Sequence, residues 1–84
     1  MQYSVYALKS LTNERMYVGM SCDVVRRLWE HNNKQVASTK KFTPWELVYE
    51  EVVGERREAR FREKYFKSGT GREFLKKIIH SDPG

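Results

Sequence analysis

Residues 2–9 alternate and are rich in Tyr and Val, residues 10–14 (SLTNE) are polar turn material, and residues 15–19 resume as RMYVG; together they predict a β-hairpin. Ser21 and Asp23 are residue types that cap helix N-termini. Val24, Val25, Leu28 and Trp29 then recur at helical spacing until Asn32 and Asn33 end the pattern, which predicts a first helix over Asp23 to Asn33. Residues 34–43 are polar, lysine-bearing and aperiodic, and read as a loop. Pro44 can open a strand but not lie inside a central one, so WELVYEEVV predicts a third strand from Trp45 to Val53, ended by Gly54. A second helix is expected over Glu55 to Ser68, closed by Gly69 in a left-handed C-cap. Thr70 with Glu73 forms a capping-box pattern for a third helix carrying Phe74, Leu75, Ile78 and Ile79. The order ββαβαα predicts an α+β domain, an antiparallel or mixed three-stranded sheet flanked by helices.

A length of 84 residues fits one domain and leaves no room for a second. The lone cysteine, Cys22, has no partner for an intramolecular disulfide, and no Cys/His cluster has zinc-ligand spacing, which fits a reducing cytoplasm. No apolar stretch approaches the ~18 residues of a membrane span, and the N-terminus lacks a signal-peptide pattern, so a soluble protein is expected. Net charge is +5. Residues 1–54 hold seven Lys/Arg against six Asp/Glu, and residues 55–84 nine against five, so the excess lies in the C-terminal third. A basic face suits a polyanion, because neutralising phosphates releases counterions, but charge alone raises that expectation only mildly.

On the first helix, steps of about 100° put Val24, Val25, Leu28 and Trp29 on one stripe, Arg26 and Glu30 on the far side, and Arg27 with His31 along one flank. Arg27 and His31 can therefore reach past the core toward the sheet. On the second helix Ala59, Phe61, Tyr65 and Phe66 mark the expected buried arc, with Glu63 at its margin. Glu63 has two readings: half of a surface pair with Lys67, worth about 0.3–0.5 kcal/mol, or a ligand for Mg²⁺, which commonly takes one or two carboxylates and completes its shell with water.

Taken in order, Val5-Tyr6-Ala7 and Tyr17-Val18-Gly19, then Val24 to Asn32 (VVRRLWEHN), then Pro44 to Tyr49 (PWELVY), then Glu58-Ala59 with Arg62-Glu63-Lys64, resemble the GIY-YIG nuclease family. The matching features are its paired tripeptides, its arginine helix with a following His-Asn, the third strand of its small single-domain members, and the helix bearing its metal-binding glutamate. The likeness runs from about residue 2 to residue 75 and includes the N-terminal nuclease domain of the excinuclease subunit. It implies that Tyr6 orients or deprotonates the attacking water, that Tyr17 hydrogen-bonds in the same site, and that Lys9 lowers the pKa of Tyr6 electrostatically. It further implies that Arg27 contacts the scissile phosphate, that His31 assists proton transfer, and that Glu63 is the single carboxylate ligand of Mg²⁺ or Mn²⁺. Gly19 would leave room beside the site.

The implied activity is a metal-dependent endonuclease-type phosphodiesterase in DNA repair or processing. Nucleic acid, DNA ahead of RNA, is the implied partner, with Arg27, Lys40, Lys41, Arg56, Arg57, Arg60, Lys64, Lys67 and Lys76 as candidate contacts. No DNA-binding domain is appended within 84 residues. Recognition is therefore expected from the domain itself, from a dimer or from a protein partner. Two departures stand out: the first tripeptide has Val5 and Ala7 in place of glycine and isoleucine, and residues 64–84 contain no Asn, which several family nucleases use beyond the glutamate. They keep a second hypothesis open, a catalytically weak or inactive nucleic-acid-binding module. A third, a protein-interaction domain using Trp29 or Trp45, has little beyond two aromatics to support it.

Overall fold

The computed structural model describes residues 1–80. It runs β1 (Tyr3–Ser10), β2 (Met16–Ser21), α1 (Val24–Asn32), a 3₁₀ turn (Lys40–Phe42), β3 (Trp45–Gly54), α2 (Arg56–Lys67) and α3 (Gly69–His80). The three strands form an antiparallel sheet in the order β2-β1-β3, so the first strand lies at its centre. The predicted α+β class and ββαβαα order are those observed.

Burial on both faces explains the composition of β1, whose residues Ser4 to Leu8 are all buried. Successive side chains point to opposite faces. Val5 and Ala7 pack with Val18, Ala59, Phe66 and Leu75 on the face covered by α2 and α3. Tyr6 and Leu8 pack with Val24 and Trp45 on the face covered by α1. A register shift places Ala7 opposite Tyr49 and Leu8 opposite Leu47, which leaves Val48 as an extra residue in β3. The bulge lets the consecutive residues Val48 and Tyr49 both pack toward α2 and α3 while Leu47 packs toward α1.

Several expectations about side-chain phase are corrected. In α1 the buried face is centred on Val24 and His31, whereas Val25 and Trp29 are 81% and 59% exposed. The sheet accepts the i, i+4, i+7 row that contains Leu28 and His31, and that row excludes the two more apolar residues. In α2, Ala59 and Phe66 are fully buried but Phe61 and Tyr65 are exposed, because α2 and α3 cover only one side of each other. The segment over residues 34–43 contains the 3₁₀ turn and a buried threonine, Thr39.

Gly69 does not close α2 in a left-handed conformation. It opens α3, and Ser68 serves both helices: extended in backbone, it donates to the Tyr65 carbonyl through Oγ at 2.5 Å and accepts from the Gly71 N–H at 3.3 Å. The expected Thr70–Glu73 capping box is therefore displaced by two residues, and Glu73 instead faces Lys76 at 3.7 Å. Arg62 fastens α2 to the sheet. Its guanidinium grips the Glu51 carboxylate at 2.7 and 2.8 Å and lies over the Phe66 ring at 4.7 Å, while the Tyr49 hydroxyl donates to the same carboxylate at 2.7 Å. This fixes the rotation of α2 and with it the direction of the neighbouring Glu63.

The tight α2–α3 corner depends on Gly71, where a Cβ would collide with the Tyr65 carbonyl oxygen and the Phe66 Cα; at Gly69 nothing lies within 4 Å of an added Cβ. Gly71→Ala is expected to destabilise by on the order of 1–3 kcal/mol, and Gly69→Ala to change stability by less than about 1 kcal/mol, in the stabilising direction. Paired urea denaturation curves measure both, and equal midpoints would contradict the packing described.

Candidate active site

Strand register assembles the first half of the site. Tyr6 lies opposite Gly19, and Leu8 opposite Tyr17, so both tyrosines and the glycine share the α1 face. The two phenol rings stand 6.3 Å apart. A Cβ on Gly19 would lie 2.8 Å from the Tyr6 hydroxyl and 3.0 Å from Tyr17 Cε2, so the missing side chain is what leaves the hydroxyl unobstructed from β2.

Helix α1 supplies the second half. Tyr6 is 1% exposed and His31 0%, and the Tyr6 hydroxyl lies 3.1 Å from His31 Nε2. The other ring nitrogen, Nδ1, is 2.8 Å from Thr39 Oγ1, and Thr39 Oγ1 in turn donates to the Val36 carbonyl at 3.4 Å. With the threonine proton on that carbonyl, its oxygen accepts from His31 Nδ1–H, which leaves Nε2 as the acceptor for the Tyr6 O–H. The order of donation is Tyr6 to His31 to Thr39 to backbone. The threonine is anchored by its own carbonyl, which accepts from Trp45 Nε1 at 3.0 Å. Trp45 is held by Asn32, whose side chain accepts from the Trp45 N–H at 2.6 Å and donates to its carbonyl at 3.0 Å.

Charge at the site is unevenly distributed. Arg27 bonds Glu30 at 2.9 Å and lies close enough to Tyr6 to lower its pKa. Glu30 thus leaves the far side of α1 where the sequence placed it; it accepts from Arg27 and faces Arg26 at 3.5 Å. Burial and then repulsion by Arg27, against a smaller raising pull from Glu30, push the His31 pKa down to about 4, so the ring is neutral at pH 7. Burial, and then Tyr17, push the Tyr6 pKa up to about 12, against the lowering influence of Arg27. Glu63 is also close enough to raise it. That influence is the smallest of those acting on Tyr6, as suits a carboxylate on α2, in a different layer.

Of the residues singled out in the sequence, Tyr6, Tyr17 and His31 are brought together, and Arg27 and Glu63 lie within electrostatic range of Tyr6. Lys9 is not among them. It is paired across the hairpin with Met16, whose side chain packs on the α2–α3 face, and its ammonium lies 3.8 Å from Glu14. Three residues after Tyr6, strand alternation places it on the opposite side of the sheet, and the Tyr6 pKa is raised rather than lowered. Lys40 and Lys41 are exposed on the 3₁₀ turn, and Arg56, Arg57, Arg60 and Lys64 surround Phe61 on the outer side of α2. Lys67 faces Glu63 at 3.4 Å, so the surface pair weighed in the sequence does form. Thr39 was missed because a threonine in an aperiodic loop carries no local signal. Glu30 did carry one, its i,i+3 spacing from Arg27.

The carboxylates within electrostatic range of the Tyr6–His31 pair are Glu30, taken up by Arg27, and Glu63, with 17% of its side chain exposed. Among the described residues no three His, Cys, Asp or Glu side chains converge as a closed metal site. A single, partly buried carboxylate with an open side suits a hard cation that keeps most of its water, as Mg²⁺ does, and does not suit structural zinc.

A family model described as the GIY-YIG catalytic domain matches residues 2–77. No significant match was found among curated proteins or among solved structures.

Because His31 is held neutral below its ordinary pKa of about 6.5, the unfolded chain binds more protons than the native one between about pH 6.5 and pH 4. Stability is fully present above that window and falls as pH drops through it, by about 3 kcal/mol in total at the low end. Denaturant midpoints taken from pH 7 to pH 4 should show this slope, and His31→Gln should flatten it. The same slope in both proteins would assign the loss to other groups.

Proposed function

The chain belongs to the GIY-YIG family, a nuclease family, and on that footing we propose that it is a divalent-metal-dependent endonuclease acting in DNA repair or processing, with DNA favoured over RNA as substrate. The observation that carries this reading is the buried Tyr6–His31 hydrogen bond, ordered as a proton path and flanked by Arg27 and Glu63.

Neither group is an effective base alone: a phenol near pKa 12 is scarcely ionised at neutral pH, and an imidazole near pKa 4 holds a proton poorly. In sequence they work as a relay. A water over the Gly19 gap gives its proton to the Tyr6 oxygen as the Tyr6 proton passes to His31 Nε2, and the resulting hydroxide attacks phosphorus as the P–O bond to the leaving strand breaks, the departing alkoxide taking a proton from solvent. A phosphate bound at Arg27 offsets the repulsion that this arginine exerts on a protonated His31, so substrate itself makes the histidine a better acceptor. Thr39 accepts from Nδ1–H throughout and holds the ring in place. The Arg27 guanidinium stabilises charge that accumulates on the phosphate oxygens. Glu63 would hold Mg²⁺ or Mn²⁺, which when bound supplies Lewis-acid neutralisation of the phosphate.

Next to Glu63 on the α2 surface run Arg56, Arg60, Lys64 and Lys67, placed there by 3.6-residue periodicity. We assign backbone contacts to this stripe with Arg57, and to Lys40 and Lys41 on the 3₁₀ turn, and we leave recognition of substrate shape to the domain, a dimer or a protein partner. Labelled linear, flapped and single-stranded substrates incubated with Mg²⁺, Mn²⁺ or chelator test the reading. Salt-dependent binding without metal-dependent cleavage would select the non-catalytic binding module instead.

Arg27→Ala should lower the cleavage rate by about 10²–10³-fold with substrate binding largely kept. Arg26→Ala, on a side chain turned to water, should leave the rate alone and weaken only salt-sensitive binding; equal loss of rate in both would refute the asymmetry. Glu63→Gln should abolish divalent-ion binding by calorimetry while shifting Tm little, since its pair with Lys67 contributes only about 0.3–0.5 kcal/mol. A large drop in Tm with ion binding intact would reject Glu63 as the ligand.

A further inference from the structure

A cleft of about 570 Å³ lies on the far side of Tyr17 from Tyr6, with Tyr17 and Thr39 in its wall. Its rim gathers cations from three separate elements. Lys9 is the penultimate residue of β1, Arg15 leaves the hairpin turn, and Arg72 and Lys76 lie one turn apart on α3; among the described residues Glu14 is the only carboxylate that joins them in the lining. No local sequence pattern requires these four to meet, and like charges converge in a concavity at an electrostatic cost.

The rim is also partly organised in advance. Glu14 adopts a left-handed backbone (φ 63°), and the next residue, Arg15, lies with its guanidinium 4.4 Å over the Phe42 ring. The Arg72 Nε–H donates to the Lys67 carbonyl at 3.3 Å. Among the described residues Lys76 and Lys9 pair with the well-exposed carboxylates of Glu73 and Glu14, at 3.7 and 3.8 Å, and such pairs give way readily to a stronger anion.

We propose that this cleft binds the single-stranded flank of the nucleic acid whose phosphodiester is cut at Tyr6, so that the preferred substrate carries an unpaired segment next to the scissile bond. The inference rests on the nuclease reading above and adds the substrate form. A cavity of about 570 Å³ is of a size that suits a single strand better than a duplex. Cations beside aromatic rings, here Phe42 and Tyr17, are what single strands use: charge follows the backbone and rings stack on bases without sequence preference. The outer face of α2, where Arg56, Arg57, Arg60 and Lys64 surround Phe61, is left to the paired portion.

Fluorescence anisotropy in chelator, which keeps substrate uncut, tests this with single-stranded DNA, single-stranded RNA, blunt duplex and flapped duplex. The double variant Arg72→Glu/Lys76→Glu should weaken binding of the single strands and of the flap by about tenfold or more, and lower the slope of log K against log salt by about 1.4, two cations at ~0.7 each. Blunt-duplex affinity should stay near wild type. DNA and RNA arms falling together identify the shared backbone as the ligand, and one falling alone names the strand it takes. Circular dichroism melts confirm folding, and Lys9→Glu with Arg15→Glu, on the opposite rim, should reproduce the effect if the α3 pair unfolds. Undiminished single-strand binding in both variants, or equal loss for blunt duplex, would overturn the cleft assignment alone. Wild-type protein that binds none of the four substrates would overturn the nuclease reading together with it.

Discussion

Tyr6 is a phenol buried in the strand that helices cover from both sides, and the rest of the site follows from supplying its hydroxyl with a partner. A buried hydroxyl without one would cost about 1–3 kcal/mol. His31 answers that demand, which obliges α1 to present an imidazole rather than Val25 or Trp29 to the sheet. The imidazole has a second nitrogen to satisfy, and the only route to it runs through the loop after α1. Thr39, the Trp45 indole and the Asn32 amide form that route, each bonded to the next. Among the described residues no buried side-chain polar atom is left unpaired. The same set of bonds therefore folds a loop that has no regular structure and aligns the groups that would move a proton.

Electrostatics then sets what those groups can do. Burial and Arg27 both oppose charge on His31, and burial and Tyr17 both oppose charge on Tyr6, so the resting pair is neutral despite a guanidinium next to it. A neutral donor–acceptor pair of this kind can pass a proton in either direction once an anion enters and cancels the Arg27 field. Glu30 tempers that field from the other side, and the same carboxylate also engages Arg26. The two adjacent arginines thus share one counter-ion but differ in reach: one enters the site and the other stays in water.

The second helical layer contributes less to the hydrogen-bonded core of the site than to its rim. Arg62, clamped to Glu51 and stacked on Phe66, sets the rotation of α2 that leaves Glu63 half-buried at the margin of the helix and Arg56, Arg60 and Lys64 exposed. The close Gly71 corner then brings Arg72 and Lys76 back to the hairpin end of the sheet. Basic surfaces consequently flank the tyrosines from two directions, although the sequence shows only a general excess of positive charge in its final third.

Strand and helix order, the antiparallel hairpin, and the separation of Arg27 and His31 from Arg26 on the first helix were legible in the sequence, because each depends on periodicity or on spacing within one element; Tyr6, Tyr17, Arg27, His31 and Glu63 were joined into one set only by the resemblance to the GIY-YIG family. What the sequence left undetermined was set by contacts between elements. Lys9 stands three residues from Tyr6 yet on the other face of the sheet, and Glu63 stands 57 positions away by numbering yet within its electrostatic reach. Local hydrophobicity assigned Val25, Trp29 and Phe61 to the interior, but the face that a helix buries is chosen by the surface it meets, here one that needed a hydrogen-bond acceptor for a phenol. Thr39 has no local pattern to identify it, and the α2–α3 turn passes from Gly69 to Ser68 and Gly71 because backbone approach between two helices is a property of the pair. A sequence specifies what each element offers; only packing decides which offered groups lose water together, and that shared loss of water is what gives His31 and Tyr6 their chemistry.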